Sequence, residues 1–567
     1  MRIPRIGFCL LAGFLVFGAA SLQADWIENG VPLCTEAGYQ LQPAATADNH
    51  GGAIVVWWDY RAESVQGIDL YAQRVDADGN LLWALDGVPI CTQPGDQYAA
   101  AVVSDGAGGA IIAWHDNRSG DYQWDIYAQH VDGAGHPLWA VDGVLVCGAG
   151  QYQTYPRIVT DTHHGAVIAW EDERGYVSTD IYAQRVDGNG NLLWAANGMP
   201  VCTYNGVQEN FVMASDDSGG AYFAWQDPRS GGVDYWDIYG QRLNSLGARQ
   251  WILNGLRVCG AADDQEWPGI MADADGVIIA WSDSRSAGVY DRIYAQRVDP
   301  PGNTQWTMDG VLVHVGTGSQ LDPRLASDDA GGAIVAWRDV GGADWDVRAQ
   351  RLDADGVRQW PPVVVSGAPG DQLAPRIVPD GSGGAILAWE DRRVGTGEEE
   401  IYAQRVDANG NTLWDVDGKA ICTAPYGQRH LDLVRDGTDG GIVTWSDNRS
   451  GSDWDIYAQD THYTASGAVD DVAAGSLDAL CRPYPNPSRS GVAVSFAPEA
   501  GRAAWLGVHD ASGRLIRRVT PGPENARLGQ LVWDGRDSAG REATSGTYVC
   551  RLSIAGREIV RRVIRTR

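Results

Sequence analysis

The stretch AWHDNRSGDYQWDIYAQHVD, Ala113 to Asp132, sets His, Asp, Asn and Arg beside Trp and Tyr in the manner of an active-site loop. Its reading decides the fold because it is not unique. The pattern W-x-D-x-R recurs as Trp57/Asp59/Arg61, Trp114/Asp116/Arg118, Trp170/Asp172/Arg174 and Trp225/Asp227/Arg229. It continues as Trp281/Asp283/Arg285, Trp389/Asp391/Arg393 and Trp445/Asp447/Arg449. An eighth copy at Trp337 keeps Asp339 but carries Gly341 in the place of Arg. Successive tryptophans are 52 to 57 residues apart, and a fixed period of this size marks a repeat architecture.

Other positions hold the same phase. A Gln follows each tryptophan in DIYAQ-like segments, from Gln73 to Gln459, and another precedes it by 16 or 17 residues, from Gln40 to Gln428. A second Trp opens a terminal run such as LLWALDGVPIC, so 16 of the 24 tryptophans are repeat positions. Each unit reads as four strands joined by Gly-Gly and Asp-Gly turns, in which glycine accepts the positive φ of a tight hairpin. Four-stranded units of about 40 to 55 residues are the sequence form of a β-propeller blade.

The alternation in AIIAWHDNR places Ile112 and Trp114 on one face and Ile111 and Ala113 on the other. Both faces are apolar, as a blade packed between two neighbours requires. The array begins with a terminal-type strand, WIENGVPLC at residues 26–34, and stops at Gln459 after a third strand. The predicted fold is therefore all-β: eight blades over residues 25–460, the eighth completed by residues 26–34, which removes two exposed sheet edges.

The recurrence also bears on chemistry. A catalyst needs one acid and one base, whereas the Asp and Arg of W-x-D-x-R occur in nearly every blade and read as a structural pair. Cys34, Cys91, Cys147, Cys202, Cys259 and Cys422 share one strand position, a blade apart, too far for disulfides. Cys481 and Cys550 flank or lie within the tail and are the candidate disulfide. Turns such as DADGN at Asp76 and DADG at Asp353 resemble calcium loops without the distal Glu, which leaves calcium a minor expectation and no other cofactor in view. No HExxH, P-loop or nucleophile elbow occurs.

What differs between blades is the better guide to ligand binding. The loop after W-x-D-x-R carries Trp124, Trp236, Trp345 and Trp454 in alternate blades, with Tyr122, Tyr235 and Tyr290 in the same loops. Aromatics among Gly, Ser and Asp suit sugar faces or a protein partner, although wedging between blades is the simpler role. Blade 6 is the most irregular, with Arg348 in place of the usual Tyr. These eight residues form the candidate ligand-binding set.

The opening MRIPRIGFCLLAGFLVFGAASLQA has the charged, apolar and small-residue order of a secretory signal over residues 1–24, and no later run is long enough for a spanning helix. Residues 25–482 hold 27 Lys plus Arg against 66 Asp plus Glu, whereas residues 483–567 hold 14 against 7. An acidic body repels phosphate, so nucleic acid is a poor partner. Residues 461–482 read as a linker, and 483–567 as a small immunoglobulin-like β-sandwich.

That tail carries YPNP at Tyr484, VHDASGRLIRRV at Val508, WDGRDSAG at Trp533, SGTYVCRL at Ser545 and a basic last strand. On these motifs it resembles the C-terminal sorting domain of the bacterial type IX secretion system and the related immunoglobulin-like domain of the flagellar hook-capping family. The resemblance covers the last 85 residues and implies passage across the outer membrane by the type IX machinery, with release or surface attachment. The final strand uses Arg where the sorting family often has Lys.

The expected protein is thus exported, extracellular or cell-surface-associated, and a non-catalytic binding or adhesion module for a glycan or protein. Two alternatives stand beside it: a secreted carbohydrate-active enzyme of glycosidase or sialidase type using two carboxylates, and a structural component of the cell surface.

Overall fold

The computed structural model describes residues 26–63, 67–120, 123–175, 178–229, 235–285, 290–395 and 398–463. In the tail it describes 483–484, 492–495, 504–510, 514–520, 530–554 and 557–565. The expected leader, most of the expected linker, Tyr122 and Cys481 lie outside these residues. The chain divides into two compact units, Met1–Tyr463 and Thr464–Arg567.

The first unit is an eight-bladed β-propeller. In blade 1 the strands Gln40–Ala47, Ala53–Asp59, Asp69–Val75 and Val88–Cys91 pair antiparallel in chain order, and the next six blades repeat this order. Blade 8 consists of Gln428–Arg435, Gly441–Asp447 and Asp455–Asp460, and its outer strand is Val31–Cys34 from the other end of the array. Val31 stands opposite Ala458, and Arg449 donates to the carbonyl of Asn29. The ring closes with the shorter strand Val31–Cys34, preceded by Trp26, which packs in the same core. First strands contact first strands of neighbouring blades and surround the axis.

Blades adhere through alternation. Ile54, Val56, Leu70 and Ala72 of blade 1 pack against Ala110, Ile112 and Trp114 of blade 2. The opposite face of blade 2, with Ile111, Ala113 and Ile126, packs against Ile168 and Trp170 of blade 3. Trp57, Trp114 and their six counterparts are fully buried. Glycine is required beside these rings. A Cβ at Gly87 would lie 2.6 Å from the Trp57 indole, and its φ of +87° favours glycine independently.

In the tail, one sheet pairs Pro483–Tyr484, Val492–Ser495 and Gln530–Trp533, and another orders Leu515–Val519, Ala504–Asp510, Gly546–Ile554 and Arg557–Arg565. Leu531 and Trp533 from the first meet Leu506, Val508, Tyr548 and Cys550 from the second, which makes a sandwich core. The Tyr548 hydroxyl donates to the carbonyl of Thr544 at 2.7 Å. Cys550 is a buried thiol in this core, and the disulfide expected with Cys481 falls on a residue outside the described ones.

Deleting residues 26–34 leaves the edge of Asp455–Asp460 unpaired and removes Trp26 and Leu33 from the core. The expected outcome is loss of the monomer peak in size-exclusion chromatography, with edge-to-edge association in its place.

Candidate functional site

In every blade the indole Nε1 of the second-strand Trp donates to the Asp two residues on, at 2.7 to 3.3 Å. In seven blades the Arg of the motif ion-pairs with the same Asp and lies 3.5 to 4.2 Å from the ring centre of the third-strand Tyr. Six of these guanidinium groups also donate to the cysteine of the preceding blade. Burial pushes the thiols of Cys147, Cys259 and Cys422 up to about 12, so they do not ionise near neutrality.

The carboxylates of the motif stand inside the blades. Asp59, Asp116, Asp172, Asp227, Asp283, Asp391 and Asp447 are all buried, and none of them lines the cavity on the propeller axis. In each, one carboxylate oxygen accepts from the main-chain N–H of the motif Arg and the other from the Trp indole and the guanidinium. Asp116, Asp172, Asp227, Asp283 and Asp391 are therefore structural members of the blade interior, closed to any ligand, as are Asp59 and Asp447. A buried carboxylate with both oxygens engaged is held in place by its own blade.

Blade 6 solves the same problem differently. Gly341 provides no cation, and Arg348, standing where the Tyr would be, places its Nε 3.3 Å from Asp339. His314 occupies the cysteine position and packs 5.6 Å from Trp337. Arg348, a candidate ligand-binding residue by sequence, is therefore committed to the blade's own carboxylate.

The alternate tryptophans also have backbone duties. The carbonyls of Trp124, Trp236, Trp345 and Trp454 accept from the main-chain N–H of Gln153, Gln265, Gln372 and Gln40 in the next blade, at 2.7 to 2.8 Å. The Trp345 ring lies 5.0 Å from the Arg338 guanidinium and the Trp454 ring 5.9 Å from that of Arg429. Tyr235 and Tyr290 are exposed. Of the described candidate residues, Trp124 alone lines the large axial cavity. In the calcium-like turns, Asp76 Oδ1 accepts from the N–H groups of Asp78 and Asn80, and Asp353 Oδ1 from those of Asp355 and Val357. These carboxylates are occupied by their own hairpins.

The axial cavity has a volume of about 1150 Å³ and is lined by first strands of all eight blades. Two residues after each first-strand Gln the backbone turns left-handed, with φ between +49° and +56°. The residues there are Gln42, Ala99, Tyr155 and Asn210 in blades 1 to 4, then Trp267, Asp322, Ala374 and His430. None is glycine, and each such conformation costs about 1 kcal/mol or more. The strand register shifts at each of them, as in a β-bulge that re-aims a side chain.

In four blades the variable residue after the second-strand Trp supports this ring. His115 Nδ1 accepts from Tyr155 N–H, Gln226 from Trp267 N–H, Glu390 from His430 N–H and Ser446 from Gln42 N–H, each across a blade boundary. The invariant residues of the repeat fix the blade while this variable one holds the left-handed residue of the next blade, of which Gln42, Tyr155 and His430 line the cavity.

One side of the cavity is aromatic. Trp58 and Tyr98 are 5.1 Å apart, Tyr98 and Trp124 5.7 Å, Trp124 and His115 4.8 Å, and His115 and Tyr155 5.7 Å between ring centres. The other side is charged, with Arg324, Arg376, Glu390 and Asp432. Burial lowers the His115 imidazole to about 4, and pushes the Glu390 and Asp432 carboxyls up. Sequence reasoning missed this ring. Its signal was present: the residue two after each repeated Gln changes in almost every copy while the Gln does not.

Residues 488–556 match the family model described as FlgD Ig-like domain, so the tail contains a segment similar to that domain. No curated protein matches the chain. Similar solved structures include a protein of unknown function from Dyadobacter fermentans DSM 18053, 10% identical with a TM-score of 0.35, covering 77% of this chain and 98% of that one. An endo-arabinase from Bacteroides thetaiotaomicron VPI-5482 is 13% identical with a TM-score of 0.27, covering 45% of this chain and 94% of its own. An α-L-arabinanase from Penicillium chrysogenum, complexed with arabinobiose, is 12% identical with a TM-score of 0.31, covering 57% and 98%.

Arg348→Tyr removes the cation facing buried Asp339 and is expected to cost about 3 kcal/mol of stability in denaturant unfolding. Adding Gly341→Arg rebuilds the standard cluster and restores most of that loss, a coupling read from the double-mutant cycle. His115 titrates lower in the folded chain than its ordinary value of 6.5. Its contribution is full above pH 6.5 and falls away as the pH drops from 6.5 to about 4. His115→Gln is expected to flatten thermal stability across that window relative to the parent.

Proposed function

We propose that the protein is an exported, surface-associated binding protein that takes a glycan at the axial cavity without transforming it. The observation that carries this reading is the continuous aromatic wall of Trp58, Tyr98, Trp124 and His115, set on a ring of otherwise repeated strands. Planar faces held in place by neighbouring blades stack on the C–H faces of sugar rings at little conformational cost. A cavity of about 1150 Å³ is at the upper end of ligand pockets, enough for a short oligosaccharide. The signal-like leader supports export, and the likeness of the tail to sorting-type immunoglobulin domains supports delivery to the outer surface through the type IX machinery.

A second reading, hydrolysis of a glycosidic bond, is favoured by one observation. Burial, and then the neighbouring Glu209, pushes the Glu171 carboxyl up to about 7. A carboxyl protonated near neutrality beside a second carboxyl group is the arrangement of a general acid and its partner. Glu171 stands opposite Thr154, a residue lining the cavity.

Direct binding of the purified chain to a glycan array, followed by calorimetry on the hits, tests the first reading. Trp58→Ala and Tyr98→Ala are each expected to weaken a genuine ligand by about tenfold. Incubation of the same hits with excess protein tests the second: release of shorter sugars, abolished in Glu171→Gln, makes the protein an enzyme, and intact ligand makes it a binder.

A further inference from the structure

Three arginines stand at one equivalent step of the first strand, four residues after the repeated Gln: Arg157 in blade 3, Arg324 in blade 6 and Arg376 in blade 7. The same step is Ala44, Ala101, Val212 and Gly269 in four other blades and Asp432 in blade 8. All three arginines line the axial cavity.

Their pairing departs from the habit of this chain. Partly buried arginines of the W-x-D-x-R clusters, and those of the third strands such as Arg74, Arg185 and Arg242, each ion-pair with an Asp. In the cavity Asp432 lies 3.8 Å from Arg376. Among the described residues, Arg157 and Arg324 have no carboxylate within 4.0 Å. Arg324 donates to the carbonyl of Pro323, and the Arg157 guanidinium lies 5.7 Å from the Phe211 ring centre. Arg324 is half-buried, and its burial together with the neighbouring Arg376 charge lowers it to about 10, while Arg157 is exposed at the cavity surface; a guanidinium keeps its proton at neutral pH in either setting. The acidic groups acting on them are Glu171 on Arg157 and Asp322 on Arg324, and Asp322 is itself engaged by Arg338.

Cations gathered in one cavity with their nearest carboxylates beyond ion-pair distance repel one another, and a chain with 73 Asp and Glu had many ways to neutralise them. A guanidinium fork matches the geometry of carboxylate and sulfate oxygens. Resting on the glycan reading above, we propose that the axial cavity selects an acidic saccharide, whose carboxylate or sulfate groups are held by Arg157 and Arg324 while its ring faces stack on the aromatic wall. Arg376, already engaged by Asp432, adds to the field without being free to form the fork.

Calorimetry on the full chain with three probes of equal length tests this: α-1,4-trigalacturonate, its neutral counterpart galactotriose, and a sulfated galactotriose. The acidic probes are expected to bind at least about tenfold more tightly than galactotriose, the effect of one charge-assisted hydrogen-bonded pair. In the Arg157→Gln/Arg324→Gln double variant this preference disappears, read as the ratio of acidic to neutral affinity within the same variant. Arg157→Lys/Arg324→Lys retains the charge, restores part of the preference, and controls for misfolding along with the melting curve. Comparison of the two acidic probes identifies the anion. Equal binding of neutral and acidic probes, or a preference surviving in the glutamine variant, overturns the anion assignment and leaves the glycan reading standing. Failure of all three probes, and of the array, overturns the glycan reading itself.

Discussion

The contact between an indole N–H and a carboxylate two residues further along the same strand is the constraint on which the propeller depends. It fixes Trp and Asp on one blade face, and the carboxylate then positions a guanidinium that covers the Tyr of the adjacent strand and reaches the cysteine of the preceding blade. One cluster thereby joins two strands of a blade to its neighbour. The guanidinium groups are partly buried and the carboxylates fully so, and each is matched by its partner and by hydrogen bonds, the condition under which a buried ion pair is tolerated. Eight such clusters, with one alternative solution, relieve the innermost strands of the work of specifying the fold.

That division explains what was legible in the sequence. The period, the four strands per blade and the closing of blade 8 by the chain's other end followed from Trp57 to Trp445 and from the stray terminal strand at Trp26, because packing requires the same residue at the same place each time. The cavity ring was not legible in that way. A left-handed Trp267 or Ala374 has no compositional mark, since glycine is the usual occupant of such backbone and is absent from all eight positions. The alternate tryptophans share a regularity that their side chains do not signal: what recurs at the position of Trp124, Trp236, Trp345 and Trp454 is a main-chain carbonyl bonded to the next blade. Ile68, Thr179, Asp291 and Glu399 perform the same bond in the other four blades.

Blade 6 shows that the repeat conserves a charge arrangement before it conserves a residue. Losing Arg at 341 and gaining Arg at 348 leaves Asp339 with a guanidinium supplied from the opposite strand, and His314 fills the space where a cysteine would sit. The substitutions that looked like a local site are mutually explanatory. Irregularity in a repeat points to function only after the neighbours have been checked for compensation. The axial arginines differ on this test: Arg376 has a partner in Asp432, while Arg157 and Arg324 have none within ion-pair distance among the described residues.

A formal net charge of −30 is hard to reconcile, at first sight, with a cationic interior and an anionic ligand. Distance resolves the conflict. At physiological ionic strength charges are screened over about 8 Å, so the acidic exterior acts weakly on a short oligosaccharide at the axis, whereas guanidinium groups in contact with it act at full strength. The two charge distributions therefore act over different ranges: the surface through a screened field, and the axial guanidinium groups at contact. A propeller suits that separation, because its repeated outer strands carry the fold while the eight inner strands, one per blade, vary independently around a single cavity.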